Sequence, residues 1–122
     1  MQSAKHILLA GVWITISEFV RNEVLLKYFW IDHYRALNLT FETKPLNGFL
    51  WVVWSMLFAW VLSQLREKFS MRESTALGWV TAFVMMWITA YNLQVLPIGL
   101  LMVAVPLSLL EIFVALKIIQ PK

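Results

Sequence analysis

Acidic and basic side chains stand close together inside the first apolar stretch of the chain, in the run EFVRNE at residues 18–23. Charged groups are costly in hydrocarbon, so they usually face a bundle interior, pair with one another or line a path for protons or substrate. A carboxylate such as Glu18, held there beside Arg21 and Asn22, can exchange a proton for a cationic ligand. The alternative is a salt bridge between Glu18 and Arg21 that only joins the first helix to its neighbours.

A second carboxylate, Glu111, lies in the last apolar run of the chain. Pro106 upstream of it removes a helical N–H and leaves a backbone carbonyl for neighbouring groups to satisfy. Glu23 and Lys27, spaced i, i+4 beside Tyr28 and Trp30, are predicted to mark the headgroup level of the first helix. Counted from that level for Glu18, and from the start of the fourth predicted helix for Glu111, Glu111 would lie roughly 5 to 10 Å deeper in the membrane than Glu18. Two carboxylates at different depths in the membrane indicate a pathway for protons or substrate. The alternative is that Glu111 lies near the inner interface and bonds to a neighbouring helix.

Two tryptophans and an asparagine extend the set of candidates. Trp54 and Trp87 fall at mid-depth of their predicted helices, whereas tryptophans of membrane proteins concentrate at the interfaces. Aromatic faces beside a carboxylate suit an organic cation, although such rings also simply fill space. Asn92, predicted to be level with Arg21, either completes a polar mouth or hydrates the helix end. The ligand-binding candidates are therefore Glu18, Arg21, Asn22, Glu111, Trp54, Trp87 and Asn92.

Other chemistries have little support in the sequence. The chain contains no cysteine, which excludes disulfides, thiol catalysis and thiolate metal sites. Its two histidines, His6 and His33, stand at opposite ends of one predicted helix, so a single chain cannot pair them on a metal or a haem. The sequence has no catalytic triad pattern, metal-binding motif or phosphate-binding loop. We expect no catalytic residue, no cofactor and no metal.

Composition defines the elements that must position these residues. Of 122 residues, 61% are hydrophobic and 14% are charged, with a mean hydropathy of +0.73, whereas soluble domains carry about 25% charged residues. A membrane pass needs about 20 residues, so four passes nearly fill the chain. The sequence predicts an all-α integral membrane protein, a single domain folded as an antiparallel bundle of four transmembrane helices. The predicted helices span residues 6–33, 48–65, 75–96 and 98–119, with Ser74 as the N-cap of the third.

The distribution of basic residues predicts the orientation. Six lie on the side of both termini, and three lie on the other side, which contains the predicted extracytoplasmic loop 34–47. The six are Lys5, Arg66, Lys68, Arg72, Lys117 and Lys122, and the three are Lys27, Arg35 and Lys44. Because positive charge concentrates on the cytoplasmic side, both termini are predicted to be cytoplasmic, in a bacterial inner membrane. Scattered in this way, the net charge of +3 does not indicate nucleic-acid binding.

The first predicted helix carries one polar stripe. At about 100° per residue, Gly11, Thr15, Glu18 and Asn22 share a face, with Arg21 alongside. In scale, and in a glutamate within its first helix, the chain is loosely similar to small multidrug-resistance transporters. The resemblance covers architecture alone. Arg21 beside Glu18 departs from a solitary exchange carboxylate, so no site residue is transferred.

Three functional hypotheses follow. The leading one is a protein that binds or transports a small, partly apolar, cationic ligand through Glu18 and Glu111. The second is an accessory or scaffold subunit of a larger membrane complex. The third is a lipid or sterol isomerase-type enzyme that uses the two carboxylates as acid and base. The expected partners are membrane lipid and a second copy of the chain, because small residues favour close helix packing in lipid. These residues are Gly11, Ala59, Ser63, Ala82 and Ala104.

Overall fold

Helices account for all the regular structure in residues 4–40 and 44–119, which the computed structural model describes. The first segment comprises α1 (Ala4–Phe19), a π-helical stretch (Val20–Leu25) and α2 (Lys27–Ala36). The second segment is α3 (Pro45–Lys68). The third comprises α4 (Met71–Trp79), a second π-helical stretch (Val80–Val84) and α5 (Met85–Asn92). The fourth comprises a 3-10 turn (Ile98–Leu100) and α6 (Leu101–Ile119).

Three of these segments are long and apolar enough to cross a membrane, namely Pro45–Lys68, Met71–Asn92 and Ile98–Ile119. Their outer faces leave large apolar side chains exposed, among them Leu57, Ile88 and Met102. Exposed apolar surface of this extent marks contact with lipid or with another protein. The chain is therefore an all-helical membrane protein whose apolar helices contact lipid. The first segment does not qualify by composition, because charged residues interrupt its apolar runs.

Capping chemistry sets two helix starts that periodicity did not locate. α3 begins at Pro45, three residues before the predicted start, because proline in a first turn needs no N–H partner and already has a helical φ. α4 begins after Ser70, whose Oγ accepts a hydrogen bond from the Glu73 N–H at 3.1 Å. The Glu73 carboxylate accepts one from the Ser70 N–H at 3.3 Å, which completes a capping box. The prediction of Ser74 as the cap is wrong, since Ser74 is buried inside α4.

The third segment ends at Asn92, four residues before its predicted end. The chain leaves the helix through Gln94, which has a left-handed φ of 65°. The Val95 N–H then bonds back to the Ala90 carbonyl at 3.0 Å, the kind of reversal that closes a helical C-terminus. This earlier end leaves five residues to turn the chain before Ile98.

The helices pack so that the first and fourth segments lie side by side. α1 contacts both α3 and α6, and α4 contacts the same two helices. Core side chains from all four segments meet between them, including Ile14, Leu62, Phe83 and Ile112, each at most 1% exposed. The first and fourth segments are antiparallel. Arg21 contacts Glu111, whereas Phe29, further along the first segment, lies against Gly99, near the start of the fourth. This packing brings the polar stripe of the first segment against α6.

Gly11 allows α1 to approach α3 closely. A Cβ at position 11 would overlap the Met56 sulfur and lie 3.4 Å from the Met56 Cα. At Gly48, a Cβ would meet nothing within 4 Å. The two glycines therefore provide a matched pair for testing the α1–α3 contact.

We expect Gly11→Ala to lower the free energy of unfolding by up to about 2 kcal/mol, because the added methyl group displaces the Met56 side chain from a buried contact at a cost that exceeds the gain from the helix propensity of alanine. Gly48→Ala should leave it unchanged or raise it by up to about 1 kcal/mol, because alanine favours the helix. Thermal unfolding in detergent micelles, followed by circular dichroism, measures both. Equal effects of the two substitutions would contradict the close approach.

Candidate functional site

The Arg21 guanidinium bridges the two carboxylates. Its Nη2 donates to Glu18 Oε2 at 2.5 Å, and its Nη1 donates to Glu111 Oε1 at 3.1 Å. The three side chains are 5%, 4% and 0% exposed for Arg21, Glu18 and Glu111. The two ion pairs therefore join the first and fourth segments through one buried cation.

Neighbouring polar groups hold Glu18 from its own segment. Asn22 Nδ2 donates to Glu18 Oε1 at 3.2 Å, and the Trp30 indole N–H donates to Asn22 Oδ1 at 3.1 Å. Trp30 lies in α2, beyond the π-helical stretch. The contacts fix the Glu18 carboxylate between Arg21 and Asn22, so these three predicted site residues form one cluster.

Two further residues of the first segment hold Glu111. Ser17 Oγ donates to Glu111 Oε1 at 2.7 Å, and the Trp13 indole N–H donates to the Glu111 backbone carbonyl at 2.9 Å. Sequence reasoning missed both residues. The signal that could have found them is their spacing, because Trp13, Ser17 and Arg21 recur every four residues and so share the helix face that meets Glu111.

Both π-helical stretches meet at Arg21. Arg21 lies in Val20–Leu25, and its carbonyl accepts the Leu26 N–H at 2.8 Å. Phe83 lies in Val80–Val84, and its ring centre is 5.1 Å from the guanidinium carbon. A guanidinium at this distance from an aromatic ring is attracted by the ring's quadrupole. π turns are rare and frequently occur at functional sites, and here two of them orient the same cation and its aromatic neighbour.

The cluster contains two carboxylates and only one cation. Glu111 Oε2 is buried and accepts no hydrogen bond from the described part of the chain. With both carboxylates ionised, Glu18, Arg21 and Glu111 together would carry one uncompensated negative charge. An uncompensated buried charge is costly. The arrangement can therefore accept one proton or one positively charged group at Glu111.

A cavity of about 80 Å³ lies beside this carboxylate, between the first and fourth segments. Its polar lining comes from Ser17, Arg21 and Glu111. Its apolar lining includes Val20 and Leu25, which are exposed on the surface of the protein. The remaining lining residues are Trp13, Leu107 and Leu110. The cavity therefore lies between the buried residue Glu111 and apolar residues that reach the outer surface.

The structure brings Glu18, Arg21, Asn22 and Glu111 together, whereas the other three candidates lie apart. Trp54 and Trp87 each contact Phe83, with ring centres 6.0 and 5.8 Å away, and so stand one ring removed from the guanidinium. Trp54 also lines a separate surface groove of about 490 Å³ with residues of the third segment. Asn92 is exposed.

The predicted depth difference between the two carboxylates is wrong, because one guanidinium contacts both. The predicted headgroup level at Glu23 and Lys27 accounts for the error, because the first segment continues to Ala36. Gly99, at the start of the fourth segment, lies against Phe29, and the His33 imidazole contacts the Gln94 carbonyl at 2.8 Å. Glu18 is therefore deeper in the bundle than its predicted position.

Comparisons with protein-family models, with curated proteins and with solved structures give no match to this chain. Within residues 4–40 and 44–119, no group of three or more His, Cys, Asp or Glu residues could hold a metal ion. The class defined by fold and site is an all-helical membrane protein with a buried cluster of two carboxylates and one arginine.

Arg21→Gln should lower the free energy of unfolding by about 3 to 5 kcal/mol, because it leaves two buried carboxylates without their cation. The triple variant Glu18→Gln, Arg21→Gln, Glu111→Gln should recover most of this loss, since three neutral amides carry no uncompensated charge. Thermal unfolding in micelles measures each variant. If the triple variant were no more stable than Arg21→Gln, charge compensation would not be what Arg21 provides.

Proposed function

We propose that the protein binds or transports a small, partly apolar cation at Glu111, with Glu18 and Arg21 completing the site. The observation that carries the proposal is the buried carboxylate of Glu111, a residue that lines a cavity and whose Oε2 accepts no hydrogen bond from the described residues. Arg21 already contacts both carboxylates, so it leaves one negative charge for a ligand to match. The cavity of about 80 Å³ is smaller than the roughly 300 to 1,000 Å³ of drug-sized pockets. It fits a charged head group whose apolar part extends outward.

The site works by exchange. In the empty protein a proton neutralises the carboxylate pair, because a net charge in a low-dielectric interior is unfavourable. An arriving cation supplies the same charge and displaces the proton. Coupling of this kind allows a proton gradient to drive ligand movement across the membrane.

The proposed architecture is an antiparallel bundle of four transmembrane helices with both termini in the cytoplasm of a bacterial inner membrane. The first segment joins the three apolar segments because its interrupting charges, Glu18 and Arg21, are buried and paired. Intramembrane charges are tolerated when they pair inside a bundle. The basic residues of the two termini and of the connection after α3 supply the cytoplasmic positive charge.

Glu111→Gln should weaken cation binding by about 2 kcal/mol or more, because it removes the charge that faces the ligand. The matched control is Asp32→Asn, which removes an exposed carboxylate outside the cluster. Octylammonium and octyltrimethylammonium serve as probes in lipid nanodiscs, with binding measured by calorimetry and proton release by a pH dye. The wild type and Asp32→Asn should release about one proton per bound cation.

Equal binding of both probes by the wild type and Glu111→Gln would overturn the proposed function. So would the failure of both probes to bind the wild type. In either case, the cluster would act as a structural link between the first and fourth segments, as expected of an accessory subunit.

Single cysteines test the four-helix topology, because the natural chain has none. We expect Leu39→Cys to react with a membrane-impermeant maleimide in intact cells, whereas His6→Cys and Lys68→Cys should react only after lysis. All three positions are exposed. If only three segments crossed the membrane, positions 6 and 39 would lie on the same side and label together.

A further inference from the structure

We infer that the cation recognised at this site is an ammonium group that bears at least one N–H, attached to an apolar chain. The inference rests on the proposed function and names its ligand class. Quaternary ammonium compounds, which carry the same charge but no N–H, are excluded from the preferred ligands.

The unpaired atom at the site is a hydrogen-bond acceptor. Glu111 Oε1 already accepts bonds from Ser17 and Arg21, whereas Oε2 accepts none from the residues described. Trp13 and Ser17, which line the cavity, direct their hydrogens to Glu111 itself. A ligand with an N–H completes the coordination of Oε2. A ligand without one leaves a buried carboxylate oxygen unsatisfied, which is costly.

The aromatic rings are on the wrong side of the cluster to form a cage. Proteins bind quaternary ammonium groups by surrounding them with aromatic faces. Here Phe83 carries the Arg21 guanidinium on its ring, and Trp54 and Trp87 pack against Phe83. Among the described residues that line the cavity, Trp13 is the one aromatic. The cavity is thus lined by an acidic residue, Glu111, and lacks the stacked rings that a quaternary head group needs.

The apolar lining of the cavity is the reason to expect an apolar chain on the ligand. Val20, Leu25 and Leu110 line the cavity and are 41%, 53% and 52% exposed. They extend from the carboxylate toward the outer surface of the first and fourth segments. An alkyl chain along these residues replaces contacts with lipid tails, while the head group remains at Glu111.

A methylation series tests the inference. Octylammonium, its N-methyl and N,N-dimethyl derivatives and octyltrimethylammonium carry one positive charge and the same chain but decreasing numbers of N–H groups. Each is titrated into the wild type, Glu111→Gln and Asp32→Asn in lipid nanodiscs, with octanol as the uncharged probe. Thermal unfolding confirms that each variant is folded.

We expect the first three cations to bind the wild type with similar affinity, and the last methylation to weaken binding about tenfold to a hundredfold. Asp32→Asn should show the same loss of affinity at the last methylation, whereas Glu111→Gln should bind all four cations with similar affinity. Equal binding across the series, or tighter binding of the quaternary compound, would overturn the inference and leave the proposed function standing. If Glu111→Gln still lost affinity at the last methylation, the inference would also be overturned, because the N–H would then be recognised by another residue.

Discussion

One buried guanidinium organises the departures from regular helix packing in this protein. Arg21 contacts a carboxylate of its own segment and one of the fourth segment, and it stacks on Phe83 of the third. A charge in this position is unfavourable unless its partners are fixed. The two π-helical stretches, the Trp13 and Ser17 bonds to Glu111, and the Asn22 bond to Glu18 all fix those partners.

Sequence alone predicted the parts of the fold that depend on composition and charge spacing. Glu18, Arg21 and Glu111 stood out because charged residues are rare in apolar runs. Their common depth could not be predicted, because it depends on how far the first helix continues and on which residue of the fourth lies beside Phe29. The π turns were equally inaccessible, since hydrophobic periodicity does not reveal one extra residue in a turn.

Buried ion pairs are weak evidence of a stabilising role, because apolar residues of similar size often stabilise a core equally well. The cluster here differs from a simple pair in its stoichiometry, since it has two carboxylates for one guanidinium and Glu111 Oε2 accepts no hydrogen bond from the described residues. A group that only linked two helices would need a single carboxylate for its single cation. The additional acid gives the site a capacity to change its charge state.

The π-helical stretch at Val20–Leu25 also gives the first segment a place where a change of chain length can be absorbed. A π turn holds about one residue more than an α turn, so deletion of one codon there would restore the α-helical pitch while the faces on either side stay aligned. The face that carries Trp13 and Ser17 would then still meet Glu111. The gene should therefore tolerate the in-frame deletion of one apolar residue within this stretch better than a deletion within α6, where each lost residue rotates the helix by about 100°.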